Sequence, residues 1–426
     1  MNVLFRLAAA IALLSAATAY AVSPPRVVTA QEVLNKAAVA SPELQSARLH
    51  SVAAEARIGV ARAGFLPTID AMAMDSTGFP GSTGDLGLTG LPASPYRVGL
   101  SGGVSAEIPI WDFGRTWNAV DAAEHDARSE AEKGNYIQYR TYQTALALYY
   151  QCSLYHDLRE AWTQLAADAK LVRDTTVEFV KTGQRSVVER YLVESEMERA
   201  NTEVSVNEER ERVQIKELGL ITGMAPDGIA CPSLPAPRQA LAFFHGTALG
   251  NPIIRQATEA AAAAHSRVDE ARADYLPRLL AVANIGFMQD VRLIPDRQIY
   301  ALGVAVVLPI FEGFRTNNQV AEARALAGGA EKDLESRKLE IADLNAKYDK
   351  IIQSTDVALQ HLRDEFLLAK QGFDVAKKRY FSLQGTVVDV RDAFQNLSRT
   401  QTDYVAQQAA YAQAVGAKAI LNGTPF

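Results

Sequence analysis

Asp389, Asp392, Asn396, Arg399 and Asp403 recur at steps of three and four, so on a helix they would line one face. Carboxylates gathered around a narrow passage select cations. Two unit charges ~4 Å apart interact by ~1 kcal/mol in water and ~4 kcal/mol at an effective dielectric of 20, so a ring of them repels anions and can bind divalent cations. The same stripe also reads as an ordinary solvated helix face. At equivalent positions 200 residues earlier stand Glu189, Glu196, Arg199 and Glu203.

Other chemistries find no support. The six histidines, His50, His125, His156, His245, His265 and His361, are scattered without metal-ligand spacing, and no zinc motif includes them. No nucleophile elbow, Walker loop or dinucleotide fingerprint occurs. Gly84-Asp85-Leu86-Gly87 has no strand-then-helix context and no following Lys-Ser/Thr, so it reads as surface loop rather than a phosphate cradle. We therefore expect no catalytic residues, no metal and no cofactor. A net charge of -6 without a dense Lys/Arg run also argues against a nucleic-acid partner.

What must position the polar stripe is a duplicated chain. Pro109-Ile110-Trp111-Asp112, Arg115-Thr116 and Asn118 recur as Pro309-Ile310-Phe311-Glu312, Arg315-Thr316 and Asn318, an offset of 200 residues. Val187-Val188-Glu189 recurs as Val387-Val388-Asp389, and Leu220-Ile221-Thr222-Gly223 as Ile420-Leu421-Asn422-Gly423. Phe65-Leu66-Pro67 matches Tyr275-Leu276-Pro277 with a slightly different spacing, as a change in loop length would give. A long-period repeat of this kind decides the whole fold reading.

Proline is absent from Ile110 to Ala225 and from Ile310 to Thr424, and proline breaks helix interiors. Both tracts are rich in strong helix formers. From Arg115 to about Phe179 a continuous helix would reach on the order of 100 Å at ~1.5 Å per residue, too long for a globular core, so such helices must pack side by side. Tyr348, Ile352, Thr355, Leu359, Leu362, Phe366, Ala369, Phe373, Ala376 and Tyr380 step by four and three, the seam of a coiled coil. The period breaks at Thr182-Gly183-Gln184-Arg185-Ser186 and at Leu383-Gln384-Gly385-Thr386; these are the expected tips of two helical hairpins.

Before each helical tract lie β-branched, Gly-punctuated stretches, residues 65–75 and 96–110 in the first half and 275–288 and 298–310 in the second. Each is long enough to cross a bilayer as a tilted strand. No run of about 18 apolar residues follows the N-terminal segment, which excludes a spanning helix but not a spanning strand. Four strands cannot close a barrel, and an open edge in lipid leaves backbone hydrogen bonds unmade. If the strands span, the chain must oligomerise.

The remaining boundaries follow. Residues 1–21 read as a secretory signal, with Arg6, the apolar stretch Leu7 to Leu14 and Ala19-Tyr20-Ala21 before the cut. Val22 at the expected new terminus carries no lipid-accepting cysteine. Residues 22–225 form the first repeat, residues 226–250, with Pro226, Pro232, Pro235 and Pro237, a linker expected to pack outside the bundle with the next helix, and residues 251–426 the second repeat. Cys152 and Cys231 would meet an oxidising compartment, but their spacing does not say whether they pair.

The order helix, strand pair, long helix, tip and returning helix, repeated once after a signal, resembles the TolC-type outer-membrane efflux protein family. Gly64-Phe65-Leu66-Pro67, the two strand-to-helix junctions and the tip Val387-Val388-Asp389-Val390-Arg391-Asp392-Ala393 carry the resemblance. It implies a mainly α protein whose duplicated helical hairpins form a coiled-coil α-barrel and whose four strands per protomer join a trimeric twelve-stranded outer-membrane barrel. It further implies a homotrimer in outer-membrane lipid with a periplasmic helical extension. Such a trimer meets an inner-membrane transporter through a periplasmic adaptor and passively conducts substrates of a tripartite efflux or type I secretion system.

Carried over residue by residue, Asp389 and Asp392 match the family's paired aspartates at the periplasmic constriction. Tyr380 and Glu189 match a link between hairpins that holds the tunnel end shut, although Tyr380 also completes the heptad seam. The tips Thr182 to Ser186 and Leu383 to Thr386 are the expected adaptor contacts. Gly385 stands where the family often has an arginine, with Arg185, Arg190 and Arg391 nearby. Trp111 and Phe311, beside the junctions, suit either interfacial aromatics or packing at the barrel-to-tunnel transition. A periplasmic coiled-coil adaptor or scaffold is the competing reading and a soluble helical enzyme a third; the duplicated strand pairs weigh against both.

Overall fold

The computed structural model describes residues 26–76, 99–236, 250–290 and 294–422. The signal segment, the loop around Gly84 to Gly87, linker residues 237–249 and Gly423 lie outside them. The first repeat comprises β1 (Arg26–Val27), α1 (Ala30–Ala40), α2 (Pro42–Arg62), β2 (Thr68–Ser76), β3 (Gly99–Trp111), α3 (Arg115–Lys181) and α4 (Val187–Thr222). After β4 (Ile229–Ala230) come α5 (Pro252–Ala273), β5 (Arg278–Asp290), β6 (Ile294–Val307), α6 (Arg315–Phe381) and α7 (Val387–Leu421).

The duplication holds at residue level. Helices α3 and α6 are each 67 residues, on the order of 100 Å, and their bounds differ by 200. Between α2 and α5 the offset is 210, with Ser41 and Asn251 capping and Pro42 and Pro252 in the first turn. Proline suits that position because its missing N–H is an orphan there anyway. The ten-residue difference falls between the strands: β2–β3 pairs Thr68 with Glu107, β5–β6 pairs Arg278 with Val307, and each partner maps onto its counterpart.

Each strand turns into its helix through two successive left-handed residues, Phe113 (φ 55°) and Gly114 (φ 90°) in one repeat, Gly313 (φ 63°) and Phe314 (φ 64°) in the other. One glycine per junction suffices and its place is exchanged, with the phenylalanine bearing the strain. An acidic side chain then satisfies the open helix start. Asp112 accepts from the backbone N–H of Thr116 at 2.8 Å, and Glu312 accepts from the Thr316 hydroxyl at 3.0 Å.

The antiparallel sheet has the order β2-β3-β5-β6, so the two hairpins pair through β3 and β5 while β2 and β6 remain open edges. The strands begin later than their apolar content suggests, at Thr68 and Arg278 rather than 65 and 275. In the first repeat Ala63–Phe65 continues the helix as a 3-10 turn, with Leu66 N–H donating to the Ala63 carbonyl. At the other end β6 stops at Val307 rather than 310, whereas its counterpart β3 runs on to Trp111.

The helices enclose two large apolar clusters. One gathers Leu34, Leu146, Tyr150, Leu218, Leu359 and Tyr411 from five helices, and the other holds the tip half of both hairpins together. All ten residues of the coiled-coil seam are buried or half-buried. Its one hydroxyl, Thr355, donates to the Ile351 carbonyl at 2.6 Å, as a buried donor must.

The linker departs from expectation. Its start does not pack with the next helix but folds back on the first repeat. There β4 pairs in parallel with β1, Ile229 and Cys231 join the first cluster, and Asp157 accepts from the Leu234 N–H at 2.9 Å. Cys152 and Cys231 form a disulfide with Cα atoms 5.5 Å apart.

Candidate functional site at the hairpin tips

Helix α3 passes into α4 through residues 182–186 and α6 into α7 through residues 382–386. Each turn closes over one left-handed residue, Gly183 (φ 76°) and Leu383 (φ 64°). The amides of Gln184 and Gln384 donate back to the Phe179 and Arg379 carbonyls at 2.8 and 2.9 Å, satisfying carbonyls that the helix ends leave open. Thr182, Gly183, Gln184, Ser186, Leu383, Gln384 and Thr386 are exposed, as are the apolar side chains of Val187, Val188, Tyr191 and Val388. Arg185 is half-buried and Gly385 buried, because they touch each other.

Tyr380 is fully buried between the hairpins. Its hydroxyl donates to Glu189 Oε2 at 3.0 Å and lies 3.0 Å from the Thr176 hydroxyl. Burial, with a smaller contribution from Glu189, pushes the phenol above its usual range despite the opposing bond from Thr176. It is therefore a neutral donor at any growth pH. The Arg185 guanidinium sits 4.7 Å above the Tyr380 ring, and its Nη2 donates to the Gly385 carbonyl at 2.6 Å. Its Nε lies 3.8 Å from Glu189. One cation thus stacks on the tyrosine, approaches the carboxylate that the tyrosine bonds, and holds the opposite tip by its backbone.

Two further polar links join the hairpins: Lys377 Nζ donates to Asp168 at 2.7 Å, and Gln395 donates to Glu196. Arg190 turns away to Glu194, and Arg391 pairs with its neighbour Asp392 at 3.1 Å. Of these three arginines, Arg185 is the one that touches Tyr380 and Gly385. A Cβ on Gly385 would stand 3.3 Å from the Tyr380 backbone nitrogen. The position is thus tight as well as bare.

Asp389 and Asp392 are exposed on α7 with Asn396, Arg399 and Asp403, so the stripe lies on one uncovered face. Its first-repeat counterpart is not equivalent: Glu189, Glu196 and Glu203 are half-buried, and only Arg199 is exposed. Asp389 has a structural duty that spacing did not reveal. It accepts from the Thr386 N–H at 3.0 Å while the Thr386 hydroxyl accepts from its own N–H at 3.2 Å, a capping box. The Thr386 N–H, followed by its hydroxyl, holds the Asp389 carboxyl below the usual range. The signal was present in Thr386-x-x-Asp389, although the usual fourth residue is Glu or Gln. Thr176 was also missed; a lone hydroxyl in an apolar stripe was its only mark.

Three histidines find carboxylates: His125 Nδ1 lies 2.7 Å from Glu259, His156 Nδ1 2.9 Å from Glu211, and His265 Nε2 2.8 Å from Glu331. Among the described residues no helix is long and apolar enough to cross a membrane.

The profile of the outer membrane efflux protein family matches residues 33–215 and 246–417, once in each repeat. The chain belongs to that family. As an outer membrane efflux protein it is an outer-membrane channel, and family and fold are those of channels rather than enzymes. The outer membrane efflux protein BepC of Brucella suis is 26% identical over 351 residues, covering 78% of this chain and 74% of the relative. In structure the chain is similar to the outer membrane protein VceC of Vibrio cholerae, with a TM-score of 0.76 at 18% identity over 92% of this chain and 96% of that one. The CmeC outer membrane channel of Campylobacter jejuni gives a TM-score of 0.74 at 16% identity, covering 94% and 89%.

Proposed function

We propose that three copies of this chain form the outer-membrane conduit of a tripartite efflux or type I secretion system. Their sheets join into one twelve-stranded barrel and their hairpins into a periplasmic tunnel, which receives substrate from an inner-membrane transporter through a periplasmic adaptor. The observation that carries this is the sheet with open edges at both β2 and β6. In lipid each edge needs a partner, and among the described residues of one chain neither has any. The exposed tips, with Val187, Val188, Tyr191, Leu383 and Val388 uncovered, are the surface we assign to the adaptor.

The test is fractionation followed by electrophoresis of an unboiled mild-detergent extract. The expected result is a stable trimer in the outer membrane. Recovery as a soluble monomer would instead favour the coiled-coil adaptor or scaffold.

In this reading the hairpin links keep the periplasmic end closed, and Asp389 and Asp392, once per copy, form acidic rings there. Asp389 is the stronger contributor, since Asp392 shares its charge with Arg391. The bonds from Thr386 lower the Asp389 carboxyl within one copy, whereas neighbouring carboxylates in a ring raise it. Cation preference in planar bilayers is expected at neutral pH, and is expected to fall toward none there in the Asp389→Ala, Asp392→Ala channel. Unchanged selectivity in that variant would remove the ring from the mechanism.

A further inference from the structure

Directly opposed residues of a sheet share one face, so the pairing register sorts the two faces here. One face carries Ile69, Ala106, Ala283 and Leu302 in one row and Ala71, Val104, Ile285 and Tyr300 in the next. The other holds Thr68 opposite Glu107, and Asp70 in line with Ser105 and Asn284. In a spanning sheet the first, apolar face meets lipid. Strict alternation would put Trp111 on the polar face with Glu107 and Pro109. The bulge between Pro109 and Trp111 adds one residue, so Trp111 stands opposite Leu279 and joins Ile108 on the apolar face.

At this end of the sheet a cleft of about 450 Å³ opens, and Phe65, Trp111, Asp112, Phe113 and Trp117 are among its lining. Phe65 packs on Trp117 with ring centroids 4.9 Å apart, and Trp111 meets Phe113 edge-on at 6.0 Å. Glycine at residue 64 permits the first contact, since a Cβ there would stand 2.9 Å from the Thr116 methyl. Both indoles stay open, Trp111 at 58% and Trp117 at 67% exposure. Asp112 is half-buried. Its Oδ2 is taken up by Thr116, whereas its Oδ1 accepts only the longer bond, 3.2 Å, from the Gly114 N–H. The second repeat lacks this chemistry at the matching positions. Asn317 stands for Trp117, Phe311 for Trp111, and Asp274 for Gly64, and Asp274 is committed to Arg115 at 2.8 Å.

We propose that this cleft holds one phospholipid per copy, and that the lipid is one with an ammonium headgroup. The cleft lies where strand gives way to helix, the depth at which a spanning sheet meets headgroups and at which amphipathic aromatic rings settle. Aromatic faces attract a cation, and the spare Asp112 oxygen adds an opposite charge. An anionic headgroup gains from neither. The ammonium sits among the indoles and Asp112, and the acyl chains run along the row of Trp111, Leu279 and Val306 on the apolar face. The site rests on the reading of the sheet as membrane-spanning and adds the lipid to it.

Tryptophan fluorescence tests it. The chain has 3 tryptophans, and Trp162 is buried in the cluster at the tips, so quenching by lipid reports on Trp111 and Trp117. The full-length protein is reconstituted in vesicles of equal parts phosphatidylethanolamine and phosphatidylglycerol, with bromine on the acyl chains of one or the other. Brominated phosphatidylethanolamine is expected to quench roughly two- to fivefold more strongly, the preference that an exposed cation–π contact provides. Trp117→Asn copies the second repeat, and Asp112→Asn keeps an acceptor for the turn; each is expected to abolish the preference while the oligomer stays heat-stable. Equal quenching by both lipids in the parent protein, stronger quenching by phosphatidylglycerol, or a preference that both variants retain overturns the site. Unquenched tryptophans in a heat-stable trimer overturn it too and leave the conduit standing. Absence of any trimer overturns the conduit and the site with it.

Discussion

Arg185→Ala is expected to leave the channel open. The side chain holds the second tip through the Gly385 carbonyl and stacks on the buried Tyr380 ring. A hydrogen bond from a charged donor contributes about 1.5–3 kcal/mol, and a desolvated cation–π contact about 2 kcal/mol. Since these overlap, a loss of roughly 2–4 kcal/mol per copy is reasonable, and each 1.4 kcal/mol is about a tenfold change in an equilibrium. In planar bilayers the variant should show a marked rise in open-channel conductance, and cells carrying it should admit a large antibiotic that the wild type excludes. Arg185→Lys keeps the charge but not the planar fork and should be intermediate. Tyr380→Phe removes the bonds to Glu189 and Thr176 but keeps the ring under Arg185, so its effect should be smaller. The apolar seam of Phe373, Val387, Val390 and Phe394 does not depend on either group, so the variants should keep their thermal resistance. Wild-type conductance in Arg185→Ala would show that the apolar seam alone shuts the tunnel.

Removing the disulfide is expected to have the largest effect on stability. Cys152 and Cys231 are 79 residues apart in sequence, and closing a loop of that length constrains the unfolded chain by about 4–5 kcal/mol at 25 °C in the chain-entropy description. Measured losses for native disulfides run about 2–5 kcal/mol. In the native state the bond ties the start of the linker to α3, inside the cluster that includes Leu34, Leu146 and Leu218. Cys152→Ala with Cys231→Ala, or growth under reducing conditions, should lower the temperature at which the unboiled oligomer dissociates. It should also make residues 226–236 more open to protease, because the segment then keeps only non-covalent ties, the β1 pairing, the packing of Ile229 and the bond from Leu234 to Asp157. Conductance should be unchanged, as the tips lie in the other cluster. An unchanged dissociation temperature would mean that apolar packing alone fixes the linker.

Much of the architecture was legible because it rests on repetition and period, which are local properties. Pro109 to Asn118 and Pro309 to Asn318 announced the duplication, and the four-three spacing from Tyr348 to Tyr380 announced a seam that the fold does bury. The tips showed where that period breaks. Strand ends were less legible: β6 and β3 share their sequence pattern, yet β6 ends at Val307 whereas β3 runs on to Trp111, where β5 pairs with it. The linker misled for a related reason. Prolines mark where a helix cannot form but not which surface the chain then meets, and that surface was the first repeat.

The sequence by itself determined the two hairpins, the four strands, the open edges and the acidic stripe, since each follows from composition and spacing along one segment. Only the tertiary structure decided that Cys152 meets Cys231, that Asp389 also caps its helix, and that Arg185 stacks on Tyr380 and donates to the Gly385 carbonyl. Those contacts join residues 79 to 200 positions apart or depend on side-chain geometry. Spacing along a chain carries no information about which of several nearby cations a fold will turn inward.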